Sequence, residues 1–267
     1  MESLLDFIPE RPSRPRKSGV TMMMDKGLSV REVEDFLTTA GEYTDFAKLG
    51  FGTSYVTRDK VVHEKIKLYK EAGINVYFGG TFFEAFIVRN KFDAYRKLVD
   101  TFKVDAIEVS DGSTLMDHED KCKYISILSK SHIVLSEVGS KEAGIITSPN
   151  KWISMMNGEI NAGSSFVIGE ARESGTVGIY RPNGNAHVAL VNKIIAKVDQ
   201  DKIIWEAPLK SQQVWFIKTL GANVNLGNIA PNEVIPLETL RIGLRGDTFF
   251  QFLPEKFQTL CIKPDSK

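Results

Sequence analysis

Short apolar segments alternate with longer amphipathic ones along most of the chain. The short segments are rich in Val, Ile, Phe, Met and Trp, which is typical of buried strands. Between them, apolar side chains recur at helical spacing, as at Val30, Val33 and Phe36, and Ser29 with Glu32 forms a capping-box pattern. Strands are predicted at residues 20–24, 43–49, 74–78, 106–109, 133–136, 166–168, 202–205 and 223–226.

Eight strands alternating with helices over about 230 residues match the usual size of an α/β fold of the (β/α)8 TIM-barrel type. Doubly wound open sheets alternate in the same way, but no GxGxxG turn follows the first strand. The barrel is therefore favoured. We expect an irregular, proline-punctuated lead-in at residues 1–18, a single barrel domain at 19–253 and a tail at 254–267.

Charged and amide side chains gather where the predicted strands end. The strand at 166–168, for example, runs directly into Glu170, Arg172 and Glu173. One such segment is typical of a solvated loop, but its recurrence favours a functional rim, because barrel active sites lie at the carboxyl ends of the strands. The residues at these ends are Asp25, Lys26, Lys48, Glu108, Asp111, Glu137, Lys141, Glu170, Arg172, Glu206, Lys210, Asn225 and Asn228.

Carboxylates on neighbouring strands, notably Glu108 and Glu137, can bind Mg²⁺ and leave positions open for water and substrate. They can equally pair with Lys48 or Lys141 as salt bridges inside the barrel, and the residues alone do not decide between the two. Lysine and arginine at the rim suit phosphate, carboxylate or sulfo groups. The Gly227–Asn228 turn occupies a common phosphate position in barrels, although it is also an ordinary turn sequence.

Composition narrows the class of protein. The formal net charge is zero, which argues against a nucleic-acid partner, since that needs a concentrated basic face. The basic cluster of Arg11, Arg14, Arg16 and Lys17 is expected to be a solvated or subunit-contacting arm. No apolar run approaches the roughly 18 residues of a membrane span. The two cysteines lack metal-binding spacing, so a soluble, cytoplasmic protein is expected.

Ten rim and loop segments together resemble the phosphosulfolactate synthase family, and the likeness runs from about residue 5 to residue 253. Together they are specific, although one alone would not be. They are residues 21–27, 48–54, 79–81, 108–113, 137–139, 169–175, 205–208, 212–213, 224–229 and 238–247.

The resemblance implies a barrel enzyme that adds sulfite to C3 of phosphoenolpyruvate with Mg²⁺, giving (2R)-phospho-3-sulfolactate for coenzyme M or another sulfonate. It also implies a homo-oligomer, with a trimer expected. Two alternatives stay open: a non-catalytic, stress-associated barrel of the same family, and another Mg²⁺-dependent enzyme of phosphoenolpyruvate.

The resemblance also implies roles for individual residues. Lys141 is expected to protonate C2 as general acid, with Glu108, Lys48 and Arg172 as the other catalytic residues. The metal ligands are expected among Glu108, Glu137 and Glu170. The residues expected to bind substrate are Lys26, Lys210, Asn225, Asn228 and Arg245.

Overall fold

A computed structural model describes residues 4–139 and 148–258 of the chain. Within these ranges eight parallel strands alternate with helices, which confirms the predicted (β/α)8 barrel. The strands are β1 (Thr21–Asp25), β2 (Phe46–Leu49), β3 (Asn75–Phe78), β4 (Ala106–Val109), β5 (Ile133–Val138), β6 (Phe166–Gly169), β7 (Ile203–Glu206) and β8 (Leu226–Ile229).

Helices follow the strands and cover the outside of the sheet. They are α1 (Val30–Ala40), α2 (Thr53–Val56), α3 (Asp59–Glu71), α4 (Gly80–Ile87), α5 (Phe92–Phe102), α6 (His118–Leu128), α7 (Pro149–Ala162), α8 (Val188–Ile195), α9 (Lys210–Leu220), α10 (Val234–Arg241) and α11 (Glu255–Gln258), with short 3-10 turns at Gly41–Tyr43, Gln200–Lys202 and Pro231–Glu233. Ser29 caps α1 through the predicted capping box. No helix in the described ranges is long and apolar enough to cross a membrane.

The strands hydrogen-bond in the order β3-β2-β1-β8-β7-β6-β5-β4. The seam between β3 and β4 is closed at its lower end, where the amide of Asp105 donates to the carbonyl of Val76 at 3.1 Å. The barrel is thereby almost continuous, and the carboxyl ends of all eight strands meet at one mouth.

Side chains that point into the barrel form a closed apolar layer, which we call the barrel floor. Because successive strand residues face opposite sides of the sheet, the next inward position on each strand lies one layer nearer the mouth. Residues between these positions, such as Met23 and Ala47, pack outward against the helices. The floor consists of Val20, Met22, Phe46, Tyr77, Ala106, Leu135, Ile168 and Ile204.

The basic lead-in closes the opposite, amino-terminal end of the barrel. Arg11 pairs with Glu238 at 2.7 Å, and Arg16 pairs with Asp45 at 3.2 Å, with little exposure of any of the four side chains. The prediction of a solvated or subunit-contacting arm was therefore wrong for these two arginines. Their guanidinium groups also donate to backbone carbonyls of the same chain.

Candidate active site

Four glutamates occupy the inward layer directly above the barrel floor, three of them on strands β4, β5 and β7 and the fourth directly after β6. Each follows its floor residue by two positions, as Glu137 follows Leu135 and Glu206 follows Ile204, so the alternation of the strand turns it towards the mouth. All four are at most 3% exposed. They border a cavity of about 400 Å³ at the carboxyl ends of the strands. The four are Glu108, Glu137, Glu170 and Glu206.

Lys48, the inward residue of β2, lies among these carboxylates. Its Nζ is 2.9 Å from Glu108 Oε2, 3.5 Å from Glu206 Oε1 and 3.9 Å from Glu137 Oε2. Burial disfavours the charged form, but the carboxylates outweigh it and raise the pKa of Lys48 above its ordinary value. Lys48 is therefore a fixed ammonium group, suited to stabilising negative charge and unsuited to accepting a proton.

Glu108 is committed to contacts within the protein. Its Oε1 accepts the amide N–H of Gly80 at 2.6 Å, at the first residue of α4, while Oε2 pairs with Lys48. A Cβ on Gly80 would lie 2.7 Å from Glu108 Oε1 and 2.3 Å from Ser110 Oγ, so this approach requires glycine. Of the two roles left open for Glu108, the geometry favours the salt bridge with Lys48.

A metal-capable group lies beside this pair. Glu137, Glu170 and Glu206 each offer a carboxylate oxygen, and these oxygens lie within 4.8 Å of one another. Hard oxygen donors in this arrangement suit Mg²⁺. Glu108 is not a member of this group. Glu206 is a member, although it is not among the ligands predicted from the sequence.

The electrostatic environment of Glu206 supports a cation at these oxygens. Burial, together with the neighbouring charges of Glu137 and Glu108, raises the pKa of Glu206 to about 7, although Lys48 opposes the shift. A divalent cation beside Glu206 would stabilise its ionised form, so the donor set fits Mg²⁺ in both chemistry and electrostatics.

Arg172, Asn228 and Lys26 lie at the mouth as predicted. Arg172 lines the cavity in a left-handed backbone conformation, and its amide donates to Glu170 Oε1 at 2.5 Å. Asn228 also lines the cavity, and its amide oxygen is buried with no hydrogen-bond partner in the described ranges. Lys26 pairs with Glu173 at the rim. These side chains can contact a substrate.

Asn225 does not reach the mouth, and its predicted role in substrate binding is wrong. It precedes β8, at the opposite end of the barrel, where Oδ1 accepts the amide of Val20 and Nδ2 donates to the carbonyls of Asp201 and Ile203. The predicted strand at 223–226 was placed three residues early, since β8 begins at Leu226. Because of this shift, Asn225 was assigned to the carboxyl end of the strand, although it lies just before the amino end.

Two other predicted anion-binding residues lie away from the cavity. Lys210 forms an exposed ion pair with Asp247 at 2.9 Å, and Arg245 approaches the carbonyl of Pro236 at 3.5 Å. Neither side chain borders the cavity, so the structure separates them from the carboxylates. Lys141 lies outside the described residues.

The fold and the mouth define a class, the TIM-barrel enzymes with a polar site at the carboxyl ends of their strands. A solved structure of 3-hexulose-6-phosphate synthase from Salmonella typhimurium matches with a TM-score of 0.55 and 12% identity, covering 85% of this chain and 100% of that chain. At this identity the likeness shows the fold alone.

Sequence comparison is more specific. Phosphosulfolactate synthase from Methanocaldococcus jannaschii is 44% identical over 86% of this chain and 94% of its own length. The enzyme of the same name from Bacillus subtilis is 40% identical over 91% of this chain and 97% of its own length. The chain belongs to the (2R)-phospho-3-sulfolactate synthase (ComA) family, whose profile matches residues 9–247. The predicted family is confirmed.

Proposed function

We propose that the chain catalyses addition of sulfite to C3 of phosphoenolpyruvate, giving (2R)-phospho-3-sulfolactate, with Mg²⁺ as cofactor. The observation that carries the proposal is the group of three buried carboxylates beside the charged Lys48, at the mouth of a barrel of this family. Both substrates are anions, and the three carboxylates line the same mouth. A divalent cation bound by these carboxylates would allow anionic substrates to bind beside them.

In the proposed reaction a lone pair on the sulfite sulfur forms the C3–S bond. The C2–C3 π electrons move to C2 and into the carboxylate, and a proton is then delivered to C2. Negative charge thus grows on the substrate as it reacts. Lys48, buried and held by Glu108 at 2.9 Å, is placed to stabilise that charge without rearranging.

Mg²⁺ held by Glu137, Glu170 and Glu206 would supply a Lewis acid for the carboxylate on which charge develops. The side chain of Arg172 and the amide of Asn228, both on the cavity wall, are proposed to hold the phosphate or sulfite oxygens. Lys141 as the proton donor to C2 stays a prediction, because the residue lies outside the described ranges.

The direct test mixes purified protein with phosphoenolpyruvate, sulfite and MgCl₂ and follows phosphosulfolactate by mass spectrometry. We expect product that depends on both substrates, disappears with EDTA and returns with added Mg²⁺. Folded protein that forms no product under these conditions would refute the assignment. Product formation unaffected by EDTA would refute the proposed cofactor alone.

The homo-oligomer expected from the family, with a trimer as its form, and the cytoplasmic location also remain proposals. Light scattering coupled to size exclusion measures the first, with a mass of three 29.8 kDa chains expected. A monomeric mass at micromolar concentration would contradict it.

A further inference from the structure

A second charged cluster lies just outside the barrel wall, behind β5. Its centre is Lys121 on α6, whose side chain is fully buried. The ammonium group contacts Asp111 Oδ1 at 2.9 Å, Glu159 Oε1 at 2.9 Å and the backbone carbonyl of Glu137 at 2.5 Å. These contacts connect three parts of the fold: the loop after β4, helix α7 and the carboxyl end of β5.

The contact with the Glu137 carbonyl lies just beyond the point where the backbone pairing between β4 and β5 ends. The last residues paired between β4 and β5 are Val109 and Ser136. Beyond them the chain leaves β4 towards Asp111, while β5 continues through Glu137 to Val138. On its other side β5 is still paired with β6, because Val138 accepts the amide of Glu170. Lys121 thus supplies to the Glu137 carbonyl the donor that β4 no longer provides.

The three contacts use every donor of the Lys121 ammonium group, because a lysine ammonium has three N–H donors and three oxygens surround it. Burial disfavours the ammonium, but the carboxylates of Glu159 and Asp111 outweigh it and raise the pKa of Lys121 above its ordinary value. A buried ion pair contributes little net stability compared with apolar packing, so stability alone is a weak reason for this cluster. The contact of Lys121 with Glu137, a member of the metal-capable group, is a more specific reason for the cluster.

We propose that Lys121 is a positioning residue for the carboxylate of Glu137, fixing the end of β5 so that this side chain faces the divalent cation. The inference rests on the proposed cation site at Glu137, Glu170 and Glu206. Lys121 touches neither that cavity nor its lining side chains directly; it acts through the backbone of Glu137. Its loss should therefore weaken cation binding more than it affects turnover once cation saturates.

The test is isothermal titration of Mg²⁺ into the purified full chain, with and without Lys121→Met. We expect affinity to fall about 10- to 100-fold, the usual effect of losing a group that orients a metal ligand. Turnover at saturating Mg²⁺ should fall much less, which separates positioning from catalysis. Affinity within about twofold of the unmodified chain would overturn the inference.

Lys65→Met is the matched control. Lys65 is also a buried helical lysine in an ion pair, with its Nζ 2.7 Å from Asp25 Oδ2, but it does not line the cavity. The Lys65→Met variant should lose stability as Lys121→Met does, but its Mg²⁺ affinity should stay unchanged. An equal loss of affinity in both variants would show a general effect of instability and contradict the specific role of Lys121.

Removing Lys121 leaves Glu159 buried without its ammonium partner, so the single variant can fold poorly. Lys121→Met with Glu159→Gln removes this charge and should recover stability while Mg²⁺ affinity stays low. Recovery of affinity along with stability would count against positioning. If the unmodified chain binds Mg²⁺ but forms no phosphosulfolactate, the proposed reaction fails while the positioning result stands. No Mg²⁺ binding by the unmodified chain would overturn both.

Discussion

The two ends of this barrel both contain buried charged and amide groups, but they use them differently. At the amino-terminal end, Arg241 donates to the carbonyls of Ala222, Val224 and Val20, and Asp45 accepts from Arg16 and from a backbone amide. At the mouth, the carboxylates of Glu137, Glu170 and Glu206 line a cavity, and their oxygens lie within 4.8 Å of one another. One end directs its polar groups into contacts within the fold, and the other directs them towards a cavity.

The contrast distinguishes polar groups that bond to one another within the fold from carboxylates that line a cavity and can bind a ligand. Buried polar groups ordinarily find partners within the protein, as Asn225 does at the lower end. Carboxylates that converge on one cavity repel one another and raise the pKa of Glu206, and a cation bound among them can relieve that repulsion. The same residue types therefore have different consequences at the two ends, and substitutions can separate them.

The largest expected effect is on turnover at the mouth. Lys48→Met should lower turnover at saturating Mg²⁺ and substrates by at least about a hundredfold, because a fixed charge that stabilises the reacting substrate is lost. Initial rates of phosphosulfolactate formation measure it. Lys123→Met, which removes an exposed ammonium that pairs with Asp120 and does not line the cavity, is the control and should stay close to the unmodified rate. A Lys48→Met enzyme with near-normal turnover would remove Lys48 from the mechanism.

At the opposite end the effect should be on stability. Arg241→Met should reduce the free energy of unfolding by about 3–5 kcal/mol, because it leaves buried carbonyls and carboxylates without their partner. Urea denaturation measures the loss. The folded fraction should still bind Mg²⁺ with unchanged affinity. A variant of normal stability, or one with weakened Mg²⁺ binding, would contradict the division between the two ends.

The burial of Glu206 beside other carboxylates also predicts that stability depends on pH. The pKa of Glu206 is raised from 4.5 to about 7 in the folded chain, so the folded state holds an extra proton between these values. Its stabilising contribution is complete below about pH 4.5 and is lost as pH rises through about 7, with a slope of at most about 1.4 kcal/mol per pH unit.

Thermal unfolding of metal-free protein between pH 5 and 8 measures this dependence. The melting temperature should fall across the range, Mg²⁺ should raise it more at pH 8 than at pH 5, and Glu206→Gln should flatten the slope. A melting temperature of the metal-free protein that rises steadily from pH 5 to 8 would argue against a raised pKa of Glu206 in the folded chain.

The smallest expected effects compare two asparagines on either side of the same strand. Asn225→Ala should cost about 1–3 kcal/mol of stability through the lost amide contacts and leave KM for phosphoenolpyruvate unchanged. Asn228→Gly, which suits the left-handed backbone at this position, should raise KM with little loss of stability, since the amide oxygen makes no hydrogen bond in the described structure. Steady-state kinetics and urea denaturation of the two variants distinguish these outcomes, and the reverse pattern would restore Asn225 to the site.

How much of this arrangement the sequence predicts depends on the element. The alternation of apolar and amphipathic segments predicts all eight strands, and β4 is predicted at its observed bounds. The last strand is displaced because Gly227 and Asn228 resemble a turn. In the fold, a Cβ on Gly227 would lie 2.6 Å from Met22 Cε and 3.0 Å from Ile204, so glycine there serves packing between neighbouring strands. Only the assembled sheet reveals that constraint.

The site is predicted in outline for a similar reason. The alternation of strand residues predicts which glutamates face inward. It does not predict which of them meet one another and which meet Lys48, because the contact between Lys48 on β2 and Glu108 on β4 spans the interior of the barrel. The exclusion of Glu108 from the metal-capable group, and the inclusion of Glu206, follow from that contact across strands that are far apart in sequence.

The most direct measurement of the central claim is Mg²⁺ titration of Glu206→Gln beside Glu108→Gln. If Glu137, Glu170 and Glu206 form the cation site, Glu206→Gln should lose most of its Mg²⁺ affinity, whereas Glu108→Gln should keep it and lose turnover through Lys48. Unchanged affinity in Glu206→Gln with lost affinity in Glu108→Gln would contradict the account.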